Sequence, residues 1–345
     1  MNASRSKPRT RWHGLLLVLL VGARTLAADL ETDKNRFTVR AHAIFGVEAK
    51  FKNLGGFSRQ ADSGPATNRV DHFYDDGYNR VDASANTNGL TWYWGYQNAS
   101  QLAGADSIAM HSAVGTASGS LDAEADLPQW GLELVYSREL GSSSSYWWAV
   151  ELGFGWLDLS FSENATLPGD ITLTTDTYGL NGIVPPLAPY AGSFNGPGPL
   201  IGDQPSRSVA TLPGAAVTAG RYRLDASVYT FRLGILYESP FNDWLGLQFG
   251  GGGLAAFVDG EFSFSEQVSY GSTTVNRSGT ESESDFVGGA YAMGGLAFHL
   301  TERVVATLGA QYNFLGDFSQ EFNEKEASID FKHSLLVSAG VGIKF

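Results

Sequence analysis

The sequence predicts an all-β protein whose antiparallel strands close into a transmembrane barrel. Three observations lead to this fold class. Several segments of roughly ten residues alternate apolar with small or polar side chains, which is the period of a strand. Short turns and long polar loops alternate between these segments. No stretch is long and apolar enough for a spanning helix, which needs about 20 residues, and a mean hydropathy of −0.11 suits strands with one lipid-facing side.

The final stretch, residues 329–345, has the clearest alternation. One face carries apolar side chains, namely Phe345, Ile343, Val341, Ala339, Val337 and Leu335. The other face carries small or polar side chains, such as Lys344, Gly342, Gly340 and Ser338. This pattern predicts a strand with hydrocarbon on one side and a narrow polar interior on the other.

A last strand of this kind, ending in Phe, resembles that of the Gram-negative outer-membrane β-barrels, in particular the small eight-stranded OmpA/OmpX/OmpW-like barrels. The resemblance covers roughly residues 37–345. It implies a location in the cell outer membrane, and it implies that Phe345, Ile343 and Val341 form the signal read by the barrel-assembly machinery. A soluble antiparallel sheet with one buried face alternates similarly, so the rest of the chain has to decide between the two.

The amino terminus favours export. Four basic residues, Arg5, Lys7, Arg9 and Arg11, precede an apolar core at residues 14–21 and small residues near Ala27. This layout predicts a signal peptide over residues 1–27, with cleavage after Ala27 or Ala28 left open. Residues 28–345 then form a single barrel domain.

Composition excludes several classes of protein. The chain has no Cys, so it has neither disulfides nor a lipid anchor on an amino-terminal Cys. Its formal charge of −13 argues against a nucleic-acid partner, which requires a basic face. The excess acidic residues lie mostly in loops, which indicates a solvated acidic surface. No cofactor is predicted.

Eight wall strands follow from the alternation, taken in chain order. They cover residues 37–51, 130–136, 148–156, 229–237, 245–257, 287–300, 304–314 and 329–345. Short turns are predicted at residues 141–145, 239–243 and 301–303, and long loops at 52–127, 166–220, 266–283 and 316–326. Both chain ends then lie on the short-turn side, which is the periplasmic side in such barrels.

Two places leave alternatives open. Residues 90–96 and 108–114 form either a hairpin within the first long loop or two further wall strands, which would make ten. The alternation also slips at Asp158, which indicates either a bulge or the edge of the membrane. The 166–220 segment is predicted to be loop because seven prolines cluster between residues 185 and 213, and proline lacks the donor that a central strand needs.

The inward face carries charges of both signs. The predicted lumen network consists of Arg40, Glu48, Glu133, Glu151, Arg232, Gln248 and Gln311. The interior of an eight-stranded barrel is just wide enough for side chains to fill. Unpaired buried charges are costly, so these side chains should pair and plug the lumen. A narrow conduit or a small-molecule pocket is the alternative.

No catalytic or metal site is predicted. His42 and His299 are candidates for a lipid hydrolase, but no spacing identifies a nucleophile with its base. Asp71, Asp75, Asp76 and Asp82 could bind calcium, yet their spacing is not that of an EF-hand, and a solvated loop is favoured.

Two further motifs are structural in the first instance. The run from Gly250 to Gly253 indicates a place where the wall bends or stays thin. The aromatic group Trp92, Trp94 and Tyr96 is predicted to pack within the loop, to lie at the lipid interface, or to form a ligand platform, in that order of preference.

Three functions follow from this pattern. The first is a non-enzymatic structural barrel whose external loops contact an extracellular surface ligand. The second is a porin-like or small-solute transport barrel, and the third and weakest is a membrane-embedded lipid hydrolase. Outer-membrane lipid and the assembly machinery are the expected partners.

Overall fold

The computed structural model describes residues 34–58, 62–67, 69–116, 119–124, 128–143, 145–271 and 273–345. The predicted signal peptide, residues 1–27, lies outside these ranges. The described residues form twenty β-strands and two short 3₁₀ helices, Thr87–Gly89 and Ala99–Gln101. None of their helical segments has the length and apolar character needed to cross a bilayer.

The strands are, in chain order, β1 (Asn35–Phe45), β2 (Glu48–Leu54), β3 (Phe57–Ser58), β4 (His72–Tyr74), β5 (Gly77–Asn79), β6 (Leu90–Thr91), β7 (Trp94–Tyr96), β8 (Ser107–Gly115), β9 (Gly119–Glu124), β10 (Gln129–Ser143), β11 (Tyr146–Gly179), β12 (Tyr190–Ala191), β13 (Ile201–Gly202), β14 (Ser206–Pro240), β15 (Leu245–Tyr270), β16 (Thr273–His299), β17 (Val304–Leu315), β18 (Phe318–Phe322), β19 (Lys325–Asp330) and β20 (Ser334–Lys344).

Eight of these strands pair into a ring. The order β1–β10–β11–β14–β15–β16–β17–β20 returns to β1, and every pairing is antiparallel. The short connections β10–β11, β14–β15 and β16–β17 lie at one end of the ring, here called the turn end. Both termini of the ring meet there, because the N–H of Phe345 donates to the carbonyl of Asn35 at 2.9 Å. The long connections lie at the opposite end, here called the loop end.

The outer face of the ring carries an apolar band between two aromatic rows. The row nearer the turn end joins Trp148, Tyr237 and Phe249 across three strands. The row nearer the loop end consists of Trp156, Tyr229, Phe257 and Phe286. Eight residue steps separate the rows, which is about 26 Å along a strand and about 20 Å along the barrel axis at a tilt of about 40°.

Beyond the second aromatic row, the apolar face changes sides. The next outward row is polar and consists of Asp158, Ser227, Asp259 and Ser284. The inward neighbours Leu157, Val228 and Val258 are buried in an apolar core. The β11–β14 register runs without a shift from Trp147 to Gly169. The alternation at Asp158 therefore slips because the surroundings of the wall change, and no bulge is present there.

The part of the molecule beyond the band contains two packed sheets, besides the smaller sheets β12–β7–β5–β4 and β13–β6. One continues β11, β14, β15 and β16 and adds β8 and β3, and the other has the order β18–β19–β2–β9. Between them lies an apolar core that includes Phe51, Phe161, Phe262, Phe318 and Phe331.

The predicted first strand, 37–51, is divided in two. Gly46 has a φ of 70°, which favours glycine, and it directs β2 out of the ring and into the second sheet. The change of direction exposes Glu48 and buries Ala49 and Phe51. The prediction that Glu48 faces the lumen is therefore wrong.

Three predicted loops are largely strands. The 166–220 segment contains the ends of β11 and β14, and only residues 180–205 are irregular apart from short bridges. The 266–283 segment is the tip of the β15–β16 hairpin, and 316–326 holds most of the β18–β19 hairpin. These strands were missed because their outward face is polar, whereas the prediction required an apolar one.

Residues 90–114 add no strand to the ring. β8 pairs with the loop-end part of β11 and with β3, whereas β7 pairs with β5 and β12. The predicted hairpin between them does not form. Trp94 and Tyr96 are buried in a second apolar core with Tyr178, Ile108 and Met110, so the first of the three predicted roles for this aromatic group is confirmed for these two.

Candidate functional site

The lumen of the ring holds a buried cluster of three arginines and three glutamates, here called the lumen cluster. Arg36 and Arg40 come from β1, because alternate residues of this strand face inward. The other members are Glu133 of β10, Glu151 of β11, and Arg232 and Glu238 of β14. Inward glycines leave room for them: a Cβ on Gly153 would lie 2.6 Å from Cγ of Arg232, and one on Gly340 would lie 2.6 Å from Cγ of Arg40.

Glu151 lies at the centre of the lumen cluster. One of its oxygens is 3.1 Å from Nη1 of Arg232, and the other is 3.8 Å from Nη2 of Arg40 and 4.0 Å from Nη2 of Arg36. Its Oε1 also accepts a hydrogen bond from Oγ of Ser137 at 2.9 Å. The carboxylate is fully buried, so the three guanidinium groups replace the water that would otherwise solvate it.

The remaining pairs balance the charge. Arg232 donates from Nε to Glu133, which also lies 3.4 Å from Nη1 of Arg40. Arg36 lies 3.5 Å from Glu238, near the turn end. Three guanidinium groups thus face three carboxylates, and the cluster is formally neutral.

Two more polar side chains complete the turn end of the lumen. Gln248 donates from Nε2 to Glu238 at 2.7 Å, and Nε2 of His299 lies 2.7 Å from the other oxygen of Glu238. Gln311 instead bonds to Asn313 at 2.8 Å and does not join the lumen cluster.

The structure thus brings together four of the predicted network residues, Arg40, Glu133, Glu151 and Arg232, and it attaches Gln248 to them through Glu238. Sequence reasoning did not include Arg36 or Glu238 in the network. Both residues continue an alternation that the sequence already shows. Arg36 lies on the inward face of β1 two alternate positions before Arg40, and Glu238 lies on the inward face of β14 after Arg232.

Towards the loop end, apolar side chains follow the lumen cluster. Ile44, Leu254, Ala256, Val287 and Leu315 are buried there and begin the core between the two sheets. In the described residues, the interior therefore passes from paired charges directly into packed hydrocarbon.

The two candidate hydrolase residues lie in different polar surroundings. Nε2 of His42 has no hydrogen-bond partner among the described residues, and His299 bonds to Glu238. Within the described part of the chain, no hydrogen bond joins either imidazole to a serine hydroxyl.

The four aspartates of the first long connection accept hydrogen bonds from backbone N–H groups of the same connection. Asp71 pairs with Arg80 at 3.0 Å, and Asp76 lies 2.6 Å from Nδ1 of His111. The hydrogen bond that the imidazole of His111 donates to the Asp76 carboxylate raises the pKa of His111 above its ordinary value. Among the described residues, no three carboxylate or imidazole groups converge as metal ligands would.

A second polar cluster attaches the surface loops to the two long strands. Asp176 of β11 accepts two hydrogen bonds from Arg207 of β14, at 2.7 and 2.6 Å, and one from Tyr74 at 2.6 Å. The hydroxyls of Tyr74 and Tyr178 are 2.7 Å apart, and burial raises the pKa of both phenols. Burial opposes ionisation of Asp176, but the bonds from Arg207 and Tyr74 hold its pKa below the ordinary value.

The irregular segment 180–202, here called the distal loop, contains no charged residue. Aromatic side chains of the first long connection fix its backbone: Nε1 of Trp94 donates to the carbonyl of Pro199 at 2.8 Å, and the hydroxyl of Tyr78 donates to that of Gly192 at 2.9 Å. Two aliphatic side chains of this fixed loop project into solvent, with Val184 90% and Leu187 93% exposed.

No protein-family model matches the chain, and neither does any curated protein. Solved structures align along most of its length. They include the outer membrane protease OmpT from Escherichia coli (8% identity, 92% of this chain and 99% of that one, TM-score 0.31). They also include the outer membrane protein OprG from Pseudomonas aeruginosa (11%, 91% and 97%, TM-score 0.31) and Ail, the attachment invasion locus protein of Yersinia pestis (11%, 90% and 99%, TM-score 0.26).

The fold and its faces define the class of the protein, which is an outer-membrane β-barrel. An even number of antiparallel strands, turns at one end and long connections at the other, and an apolar outer band between aromatic rows are features of that class. A ring whose backbone bonds close on themselves also meets the requirement that no unpaired backbone faces lipid. In barrels of that class, the end with the short turns is periplasmic and the end with the long loops is extracellular.

Proposed function

We propose that this protein is a non-enzymatic barrel of eight strands that binds an extracellular surface through its distal loop. The observation that carries the proposal is the pair of exposed aliphatic side chains, Val184 and Leu187, on a loop that buried aromatic residues hold in place. Apolar surface that stays exposed on an ordered segment is typical of an interaction site.

The anchoring of the distal loop supports binding. A loop fixed before it meets a partner loses little conformational entropy on association. Burial of each exposed aliphatic side chain would contribute about 1.5–3 kcal/mol. The absence of charge along the distal loop removes the desolvation cost that an acidic surface would add.

The filled lumen favours this role over transport. A solute crossing the ring would have to separate the buried pairs of Glu151 with Arg40 and Arg232, and each broken pair costs several kcal/mol. It would then meet the apolar core between the sheets. A steady ion current through planar bilayers would contradict this part of the proposal.

The closing strand supports the expected partners within the membrane. Val341 and Ile343 of β20 and the adjoining Phe345 are about half exposed on the outward side of the ring, where lipid would contact them. We infer that the same face is presented to the assembly machinery before the ring closes.

The test compares surface binding by cells that produce the protein or the double variant Val184→Ser/Leu187→Ser. Val209→Ser is the matched control, because Val209 is also exposed in this layer but lies on β14. Attachment to immobilised matrix proteins, or aggregation between cells, should fall at least about tenfold in the double variant only, given the loss of two apolar contacts. Unchanged attachment with normal surface levels would refute the proposal.

A further inference from the structure

Among the residues that the structure describes, the extracellular part of β16 has a strand partner on one side only. β16 pairs with β15 along Thr273–Phe298, but with β17 only from Gly289 onwards. The last contact on the β17 side is the bond from the N–H of Gly316 to the carbonyl of Gly288. The stretch Thr273–Phe286 is here called the open edge.

The position of that last bond shows which backbone groups the open edge presents. In an antiparallel strand, the N–H and C=O of one residue point to the same side, and successive residues alternate. Because the carbonyl of Gly288 points towards β17, the even-numbered residues point away from β15. Thr280, Ser282 and Ser284 are exposed members of this set, and none of them has a backbone partner on the open side among the described residues.

Several features that commonly protect sheet edges are missing. Edge strands are usually kept short, or are interrupted by proline or by bulges, because their unpaired groups bind other strands. The open edge runs for fourteen residues without proline, and its register with β15 has no shift.

Carboxylates line the open edge in the alternating pattern of a strand. Glu281, Glu283 and Asp285 share one face, opposite Phe262, Gly260 and Val258 of β15, and all three are exposed. Neither Glu281 nor Glu283 has a cationic partner in the described part of the chain. A second copy of the chain is disfavoured as occupant, since a pairing centred on Ser282 would place Glu281 against Glu283, and like charges directly opposite destabilise a sheet.

We propose that the open edge binds an extended segment of a partner protein by strand addition, and that this segment carries Lys or Arg at every second position. Backbone hydrogen bonds to Thr280, Ser282 and Ser284 provide the docking, and alternating basic side chains against Glu281, Glu283 and Asp285 provide the selectivity. The proposal deepens the surface-binding function but uses residues separate from the distal loop.

The test uses the full-length protein refolded in detergent and labelled peptides of about ten residues, a typical strand length. One peptide alternates Lys with Thr, a second alternates Glu with Thr, and a third is the Lys peptide with every second backbone nitrogen methylated. The third keeps the charge but lacks donors on one edge. Fluorescence anisotropy measures Kd.

Two variants separate the backbone from the charges. Ser282→Pro removes an N–H that faces the open edge and leaves the β15 pairing intact. Glu281→Gln/Glu283→Gln removes two edge carboxylates, and its control, Asp243→Asn/Glu302→Gln, removes two at the periplasmic turns.

We expect the Lys peptide to bind, with Kd raised at least about tenfold by Ser282→Pro, about fivefold by the edge charge variant, and less than about twofold by the control. The methylated and Glu peptides should not bind. Equal binding of the methylated peptide would show that charge alone makes the contact, and it would overturn strand addition. Absence of binding by the Lys peptide at millimolar concentration would also overturn strand addition. If Ser282→Pro misfolds, the methylated peptide makes the same comparison on the natural protein. Loss of this binding leaves attachment through Val184 and Leu187 unaffected, so the two proposals fail separately.

Discussion

Replacing Glu151 by Ala removes the carboxylate that three arginines of the lumen cluster share. The side chain is fully buried, and its oxygens lie 3.1 to 4.0 Å from Arg232, Arg40 and Arg36. Its loss leaves three buried cations facing the two carboxylates of Glu133 and Glu238. Breaking a buried ion pair by removing one partner typically costs 3–5 kcal/mol, and we expect a loss of about 4 kcal/mol in the free energy of unfolding.

A compensating variant tests whether charge balance is the reason. Glu151→Leu with Arg40→Met removes one charge of each sign, and it leaves Arg36 and Arg232 with Glu133 and Glu238. Apolar replacement of a buried pair is often close to neutral. The double variant should therefore be more stable than Glu151→Leu alone by about 2 kcal/mol or more.

The assay is unfolding by guanidinium chloride in detergent micelles, followed by tryptophan fluorescence and by the shift in gel migration between boiled and unboiled samples. Glu302→Gln, at an exposed periplasmic turn, is the control and should be silent. A loss below about 1 kcal/mol for Glu151→Ala, the size expected for a surface pair, would refute the view that the lumen is dry and filled.

Three further outcomes follow from the same geometry. Leu233→Lys places a charge in the middle of the outer band and should cost about 2–4 kcal/mol, whereas Ser160→Lys, beyond the band, should change unfolding by less than about 0.5 kcal/mol in the same assay. Because the pKa of His111 is raised in the folded protein, its stabilising contribution is fully present below the ordinary value of 6.5 and is lost as pH rises through the higher folded value. Protease digestion of the first long connection should therefore be faster at alkaline pH, and His111→Ala should remove this difference. Burial lowers the pKa of Lys325, whose Nζ lies 3.0 Å from the buried carboxylate of Glu266 beyond the band. Lys325→Met should leave that carboxylate without a cation and lower the free energy of unfolding by about 3–5 kcal/mol, measured by the extent of hydrogen exchange in β19.

The sequence was informative where one solvent contacted the whole face of a strand. Within the band, lipid requires apolar residues on the outside, so Phe231, Leu233 and Ile235 marked their strand directly. Beyond the band the same strand continues, but the outward face becomes polar at Ser227. A prediction that requires an apolar outward face therefore ends each strand at the edge of the membrane, and it assigns the remainder of the strand to a loop.

The sequence predicted part of the lumen cluster in the same way. Alternation placed Arg40, Glu133, Glu151 and Arg232 on the inner face, and the small diameter of the ring brought them into contact. Glu48 was misplaced because the alternation of residues 37–51 continues through Gly46, where the backbone leaves the ring. The core around Trp94 and Tyr178 depends on contacts between segments about 80 residues apart, which no local period reveals.

The most direct test of the account is the depth of single positions in a bilayer. The chain has no Cys, so a fluorophore attached to Leu233→Cys or Ser160→Cys reports one site without background. We predict that lipids brominated on their acyl chains quench the label at position 233 and that aqueous iodide quenches the label at position 160. Equal quenching by iodide at both positions would contradict a wall that is surrounded by hydrocarbon between its two aromatic rows.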